Sequence, residues 1–119
     1  MHITKKTNTE RARLIQELKK HARETKAKLW QRVAQDLERP TRKTRIVNLY
    51  KINRYAKDGE TVLVPGKVLG TGELNRSVHV AAFAFSEEAK RKISAGGRAL
   101  TVEELMKENP KGQKVRILG

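Results

Sequence analysis

The sequence predicts an α/β protein in which a basic, mainly helical N-terminal part precedes a part built from short strands, tight turns and helices. Up to residue 57, apolar residues recur at intervals of three and four, which is the periodicity of amphipathic helices. Beyond the turn at Asp58-Gly59, short β-branched runs alternate with Pro and Gly, a pattern typical of strands joined by turns. The charge divides at the same place, because most of the net charge of +14 lies in residues 1–57.

The length and composition predict one structural domain. A chain of 119 residues with 37% apolar residues can bury a modest core but is too short for two domains. We expect this domain to have two parts, a basic and mainly helical segment over residues 1–57 and a compact strand and helix body over residues 58–119.

Two amphipathic helices are predicted in the first part. Thr7 and Glu10 have the spacing of a capping box, which predicts a helix start. Thr25 is expected to cap a second helix that runs to Glu38, and Pro40 ends it because the residue before a proline is disfavoured in helices. The residues expected to face the core are Leu14, Ile15, Leu18, Leu29, Trp30, Val33, Ala34 and Leu37.

A third helix is predicted to begin at Asn48, which has the side chain of a typical N-cap. Its apolar positions recur at helical intervals and leave Lys51, Arg54 and Lys57 for outward faces. Asp58-Gly59 ends this helix. The residues assigned to its apolar stripe are Leu49, Ile52, Tyr55 and Ala56.

The second part is predicted to contain strands at residues 61–64, 77–85 and 115–118, with a bend at Pro65-Gly66. The second of these is the strongest and is expected to be buried on both faces. Its Phe83 and Phe85 are expected to share one face and to pack in the core rather than stack on nucleobases. Helices are predicted after Ser86 and after Thr101, where Ser86 is a cap and Thr101 forms a capping box with Glu104.

Residues 39–48 read Arg-Pro-Thr-Arg-Lys-Thr-Arg-Ile-Val-Asn, which favours phosphate binding. Arginine offers a planar fork of donors, lysine a point charge, and threonine and asparagine short hydrogen bonds. A solvated basic loop is the alternative for an isolated run. Because the whole first part is basic, we expect an ordered bend that meets a polyanion, with nucleic acid as the partner.

Other classes of function are disfavoured. The N-terminus lacks a secretory signal and no apolar stretch could span a bilayer, so we expect a soluble, intracellular protein without a membrane partner. There is no cysteine, and His2, His21 and His79 have no ligand spacing, so we expect no metal and no cofactor.

No arrangement of nucleophile and base predicts an enzyme. The glycines of residues 66–72 lack the Gly-Lys-Ser/Thr ending of a nucleotide-binding loop, so we expect turns there and no small-molecule substrate.

Several blocks of sequence resemble a known family. They include Val-Pro-Gly-Lys-Val-Leu-Gly at residues 64–70, Val-Ala-Ala-Phe-Ala-Phe-Ser at residues 80–86 and Asn-Pro-Lys-Gly at residues 109–112. In this order they resemble the archaeal and eukaryotic family of large-subunit ribosomal protein eighteen, in its shorter archaeal form. At residues 41–46 the basic residues depart from the family pattern. The resemblance implies an irregular superhelix of strand-strand-helix turns behind an RNA-bound N-terminal extension, a fold shared with the bacterial fifteenth large-subunit protein.

The resemblance also implies a function. The chain would be a structural constituent of the large ribosomal subunit in the cytoplasm, in one copy per ribosome, bound to ribosomal RNA (rRNA) and to neighbouring ribosomal proteins. A free nucleic-acid-binding protein that compacts DNA or acts as an RNA chaperone is the alternative. For Asn48, a plain helix cap is an equal alternative to RNA contact. The expected RNA-binding residues are Lys5, Lys6, Asn8, Arg42, Lys43, Arg45, Asn48, Lys51, Arg54 and Lys67.

Overall fold

Five parallel strands form one sheet in a computed structural model that describes residues 8–39 and 45–119, apart from the side chain of Asn8. The strands are β1 (Arg45–Asn48), β2 (Thr61–Leu69), β3 (His79–Phe85), β4 (Arg98–Thr101) and β5 (Val115–Ile117). The helices are α1 (Asn8–Thr25), α2 (Lys28–Leu37), α3 (Leu49–Tyr55), α4 (Glu87–Ser94) and α5 (Val102–Glu108). The predicted α/β class is confirmed.

The long strand β2 is the centre of the sheet. It pairs with β3 along one edge, and its other edge is shared end to end by β5 at Thr61–Leu63 and by β1 at Gly66–Leu69. The register with β3 shifts between Val64 and Lys67. This break contains Pro65, which cannot donate a hydrogen bond to a ladder and is therefore tolerated at an irregularity. The predicted strand 61–64 thus continues past Pro65 to Leu69.

The sheet is covered on both faces, as expected for parallel strands. One hydrophobic cluster joins α1, α2 and α5 to the sheet through Leu63, Ala81 and Leu100. The other joins α3 and α4 to the opposite face through Val62, Val80 and other strand residues. The N-terminal helices therefore form one of the two outer layers. The core residues predicted in them, including Trp30 with 0% of its surface exposed, are confirmed, apart from Ile15 and Leu29, which are only partly buried.

Local capping signals give a mixed result. Ser86 accepts a hydrogen bond from the amide of Ala89 at 3.1 Å, and Thr101 with Glu104 forms the predicted capping box. Thr25 does not cap α2. Its hydroxyl bonds back to the carbonyl of His21 at 2.8 Å, so it ends α1, and Ala27 takes the N-cap position of α2.

Two strands and one strand face differ from the sequence prediction. β1 lies where an ordered bend was expected, and β4 where only a helix end and a helix start were expected. Both have four residues and are defined by partners distant in sequence rather than by a local pattern. Phe83 and Phe85 are both buried, as predicted, but they belong to the two opposite clusters. The irregular register with β2 interrupts the simple alternation of β3, so the prediction of a shared face was wrong.

The loop after α5 is fastened to the helical layer by two hydrogen bonds to one carbonyl. Trp30 Nε1 donates to the carbonyl oxygen of Pro110 at 2.7 Å, and His21 Nε2 donates to the same oxygen at 2.8 Å. The His21 and Trp30 rings also meet edge to face at 5.6 Å. This contact connects α1 and α2 to the segment that leads into β5.

Replacing Trp30 should destabilise the whole fold. We expect Trp30→Phe to lower the free energy of unfolding by about 1–2 kcal/mol, because it removes one hydrogen bond and leaves a small cavity. Trp30→Ala should cost about 3–5 kcal/mol. Urea unfolding followed by circular dichroism measures both values. Equal stability of Trp30→Phe and the wild type would contradict a role for the bond to Pro110.

Candidate nucleic-acid interface

The first residues of α3 lie beside the end of β2, because the pairing of β1 with β2 continues into the turn that follows. Arg45, Ile46 and Asn48 are register partners of Gly66, Lys67 and Leu69. The amide of Tyr50 then donates to the carbonyl oxygen of Thr71 at 3.1 Å. Residues 45–50 therefore run alongside residues 66–71, and the carboxyl ends of β1 and β2 meet at α3.

The turn at residues 70–72 is held in place by Lys92 of α4. Its Nζ donates to the carbonyl oxygens of Gly70 at 2.9 Å and Gly72 at 3.0 Å, and it forms an ion pair with Glu88 Oε1 at 2.9 Å. An ammonium group has three donors, and all three are used here. Lys92 is therefore a structural residue, although its charge alone would suggest a contact with RNA.

The glycines of this turn serve close packing rather than nucleotide binding. A Cβ at Gly70 would lie 2.8 Å from Cβ of Glu88, and a Cβ at Gly72, whose φ is +96°, would lie 2.7 Å from Cβ of Tyr50. The carbonyls of the turn point at Lys92, and Lys67 lies in a strand. The geometry thus agrees with the predicted turn at residues 70–72, whereas Gly66, for which a turn was also expected, lies within β2. The segment lacks the helix start that a nucleotide-binding loop requires.

The helix α3 exposes cations on the side that does not pack on the sheet. Leu49, Ile52 and Ala56 are buried. Arg54 is exposed and Lys51 is partly exposed, and within the described residues neither forms an ion pair with a carboxylate. Lys67 is also partly exposed and lies next to the exposed Ile46 across the ladder. The structure thus gives Lys51, Arg54 and Lys67 side chains that solvent can reach.

Arg45 occupies a different position from these three cations. Its guanidinium lies 3.8 Å from Asp36 Oδ1, and 28% of its side chain is exposed. Asp36 is only 8% exposed and also lies 3.8 Å from Arg39 Nε. Arg45 thus contributes to holding the start of β1 against the end of α2, and it compensates a buried carboxylate, which would be costly if left unpaired.

Asn48 has the N-cap position of α3 but does not act as a capping side chain. Its backbone is extended, with φ −88° and ψ 156°, and its side chain makes no hydrogen bond to the helix. The side chain is partly exposed. The prediction of a plain helix cap is therefore wrong for the side chain, and the amide group remains able to bond to another molecule.

Five other predicted residues cannot be located on this surface. Lys5, Lys6, Arg42 and Lys43 lie outside the described residues, as do Thr7 and Pro40, which were expected to begin α1 and to end α2. Asn8 is the first residue of α1, but its side chain is also outside the described part.

The exposure of the two tyrosines of α3 was not predicted from the sequence. Tyr55 was assigned to the apolar stripe, but 48% of its surface is exposed, as is 58% of Tyr50 and of Ile46. The guanidinium of Arg54 lies over the Tyr55 ring, 5.5 Å from its centroid. The interval of three residues from Ile52 to Tyr55 suggested a buried position, but the sheet covers only a narrow stripe of this short helix.

Elsewhere on the body, two arginines at the surface are paired with carboxylates. Arg98 and Glu108 form two parallel hydrogen bonds at 2.9 Å, which raise the pKa of the arginine and lower that of the glutamate. Glu60 binds the amide of Lys57 and the guanidinium of Arg116, and both contacts lower its pKa. Both pairs lie at the amino ends of the strands, opposite to the end at which α3 begins.

Within residues 8–39 and 45–119, no cluster of His, Cys, Asp and Glu has an arrangement that could hold a metal ion. None of the helices described there is long and apolar enough to cross a membrane.

These features define a small α/β protein whose solvent-facing cations near α3 suit a polyanionic partner. Over residues 2–119 the chain matches the family described as ribosomal protein 60S L18 and 50S L18e, and it belongs to that family.

The names of curated proteins similar to this chain agree with this family. The chain is 54% identical over 114 residues to "Large ribosomal subunit protein eL18" of Methanoregula boonei, covering 95% of this chain and 94% of that protein. It is 52% identical over 113 residues to the protein of the same name from Methanococcus maripaludis, covering 94% of each chain. For that of Methanosphaerula palustris the identity is 54% over 115 residues, covering 96% of this chain and 95% of the relative.

The predicted archaeal type and ribosomal function are thereby confirmed. The chain is a structural constituent of the large ribosomal subunit, so it works in the cytoplasm within the ribosome and assembles there with rRNA and other ribosomal proteins. Membership of this family also confirms that it is not an enzyme.

Removing the Lys92 ammonium should loosen the turn beside α3. We expect Lys92→Met to lower the free energy of unfolding by about 1–2 kcal/mol, because charged hydrogen bonds to two carbonyls are lost. Lys90→Met removes the same charge from an exposed position on the same helix and should leave stability nearly unchanged. Urea unfolding of both variants measures the difference in the free energy of unfolding. An equal loss of stability in the two variants would show that the lost positive charge, and not the lost hydrogen bonds, is responsible.

The same contact predicts a pH dependence. The hydrogen bond from Lys92 lowers the pKa of Glu88 below its ordinary value of 4.5. A carboxyl with a lower pKa in the folded state stabilises the fold above its unfolded pKa, and this stabilisation is lost as the pH falls through the folded pKa. Stability should thus decline below about pH 4.5, less steeply in Glu88→Gln. Unfolding midpoints from pH 6 to pH 3 measure this, and identical profiles would refute it.

Proposed function

We propose that the chain binds folded large-subunit rRNA through Asn48, Lys51, Arg54 and Lys67, which we call the β1–α3 surface. The cations neutralise phosphates that crowd together where RNA helices pack. The Asn48 amide adds a hydrogen bond that fixes the position of the RNA on this surface. Such binding depends on the shape of the RNA, its phosphates and its 2′-hydroxyls more than on base sequence.

The observation that carries this proposal is that three cations on α3 and β2 are accessible to solvent and have no carboxylate partner among the described residues, unlike two arginines elsewhere on the sheet. Arg98 and Arg116 have carboxylate partners within 3.2 Å. Lys51, Arg54 and Lys67 have none in the part of the chain that the structure describes. Unpaired cations on a rigid support keep their full charge for a polyanion, and counterions released from the RNA then favour association.

The remaining predicted residues extend this surface in our proposal. Arg42 and Lys43 precede β1 in sequence and are separated from it by Thr44, and Lys5, Lys6 and Asn8 belong to the basic N-terminus. We assign all five to further rRNA contacts. Arg45 has a mixed role in which the pair with Asp36 at 3.8 Å orients the start of β1 and the outer edge of the guanidinium meets RNA.

The proposal assigns different tasks to the two parts of the chain. Residues 1–57 supply most RNA contacts, and residues 58–119 form the body against which α3 is held, so that the two parts work as one structural domain. One copy per ribosome suffices for this function, and no small-molecule substrate takes part in it.

The number of phosphates bound by the β1–α3 surface can be measured from the salt dependence of binding. Replacing Lys51, Arg54 and Lys67 together by Gln should reduce the slope of log K against log salt by about 2–3, since each neutralised phosphate contributes about 0.7–0.9. Filter binding of the intact protein to large-subunit rRNA from 50 to 300 mM salt gives this slope.

The matched control is the replacement of Lys90, Arg91 and Lys107 by Gln. These residues are exposed on α4 and α5, so this variant loses the same net charge at other places. We expect its slope to remain within about 1 of the wild-type value. If the two triple variants lost the same slope, binding would depend on net charge and not on the β1–α3 surface.

A further inference from the structure

The tyrosines of α3 stand among the cations of the β1–α3 surface. In α3, Tyr50 and Arg54 are four residues apart, and so are Lys51 and Tyr55. Residues at this interval are neighbours on one side of a helix. Each aromatic ring therefore has a cation beside it, and neither ring is needed for the core, which Leu49 and Ile52 already fill on the opposite side.

Tyr50 is held rigidly at its base while its ring faces solvent. Its amide is bonded to Thr71 at 3.1 Å, and Gly72 packs against its Cβ. The turn that supplies both contacts is fixed by Lys92 through the carbonyls of Gly70 and Gly72. With 58% of its surface exposed, the ring projects from a support that does not need to reorganise when a ligand binds.

We propose that Tyr50 stacks on an unpaired nucleobase of the RNA, with Arg54 at the edge of the same site. This inference rests on the proposed function and adds that the ligand is a nucleotide of a loop or bulge. A paired base has no free face, because its neighbours in the helix cover it, whereas an unpaired base can stack on an aromatic ring. The adjacent cations then meet the phosphates on either side of that nucleotide.

The guanidinium of Arg54 is restrained by the ring that follows it in α3. It lies over the Tyr55 ring at 5.5 Å from the centroid, a cation–π contact that restricts an otherwise flexible side chain. A nucleic acid fits this arrangement better than a protein surface does, because each exposed ring has a positive neighbour and the surface lacks a carboxylate partner for Lys51 or Arg54 within the described residues.

The composition of the chain allows a direct test. Tyr50 and Tyr55 are the two tyrosines of the sequence, so the intact protein labelled with 3-fluorotyrosine gives two fluorine resonances. The variants Tyr50→Phe and Tyr55→Phe assign them. The probes are an RNA duplex with one unpaired adenosine and a fully paired duplex of the same length. We expect the Tyr50 resonance to move upfield with the bulged RNA only. An equal response to both RNAs would overturn the proposal.

Affinity gives a second readout. The wild type should bind the bulged duplex about 5–100-fold more tightly than the paired duplex, as stacking of one base predicts. Tyr50→Phe should keep this preference and Tyr50→Leu should lose it without a change in salt slope, since tyrosine neutralises no phosphate. Ile46→Ala removes an equally exposed apolar side chain that cannot stack, and it should keep the preference.

The outcomes separate the two proposals. A salt-dependent affinity without preference for the bulged RNA would overturn base stacking and leave phosphate binding intact. Loss of the salt slope in the wild type would overturn phosphate binding itself. If Tyr50→Leu kept the RNA preference but failed to enter the large subunit, the ring would contact a neighbouring protein, which also overturns base stacking. The fluorine titration uses the unmodified sequence, so it decides even if Tyr50→Leu folds poorly.

Discussion

Pairing of both edges of β2 is the constraint on which the rest of the structure depends. One edge is occupied by β3, and the other is divided between β5 at its start and β1 at its end. The division requires a break in the middle of the strand, and Pro65-Gly66 lies there. Gly66 is needed because a side chain would collide with the carbonyl oxygen of Arg45 in β1. The close approach of β1 in turn sets where α3 begins.

The same pairing explains why a small chain has two cores. A parallel sheet must be covered on both faces, and α1 with α2 cover one while α3 with α4 cover the other. The basic N-terminal helices therefore perform a structural task as well as carrying charge. Their inner stripe includes Leu18 and Trp30 at 0% exposure. Most of their cations are exposed, but Arg11 is partly buried and donates to the carbonyl oxygen of Leu37 at 2.8 Å.

The sequence predicts those features of the fold that depend on short intervals. Ser86 and the Thr101–Glu104 box were predicted because a cap and its partner lie three residues apart. The strands β1 and β4 were missed because four residues contain too little pattern, and a parallel strand is defined by its neighbours in space. Lys92 could not be assigned, since its carbonyl partners lie 20 and 22 residues away. Local spacing thus predicted these two helix caps. The short strands and the contacts of Lys92 depend instead on partners that are distant in sequence.

The residues of the candidate site could also be predicted only in part from the sequence. Charge and residue type selected Lys51, Arg54 and Lys67 as candidates, and the structure shows that all three are accessible to solvent. The same signal would also have suggested Lys92, whose contacts with Gly70 and Gly72 only the tertiary structure reveals. Periodicity could not predict that Tyr55 is exposed. A helical interval indicates which residues lie on the same side of a helix, but not how much of that side the sheet buries. Buried and exposed positions of α3 are set by the strands β1 and β2, on which this helix packs. A short helix on a narrow support leaves Tyr50 and Tyr55 outside the core, so their exposure follows from this packing and not from the helical interval alone.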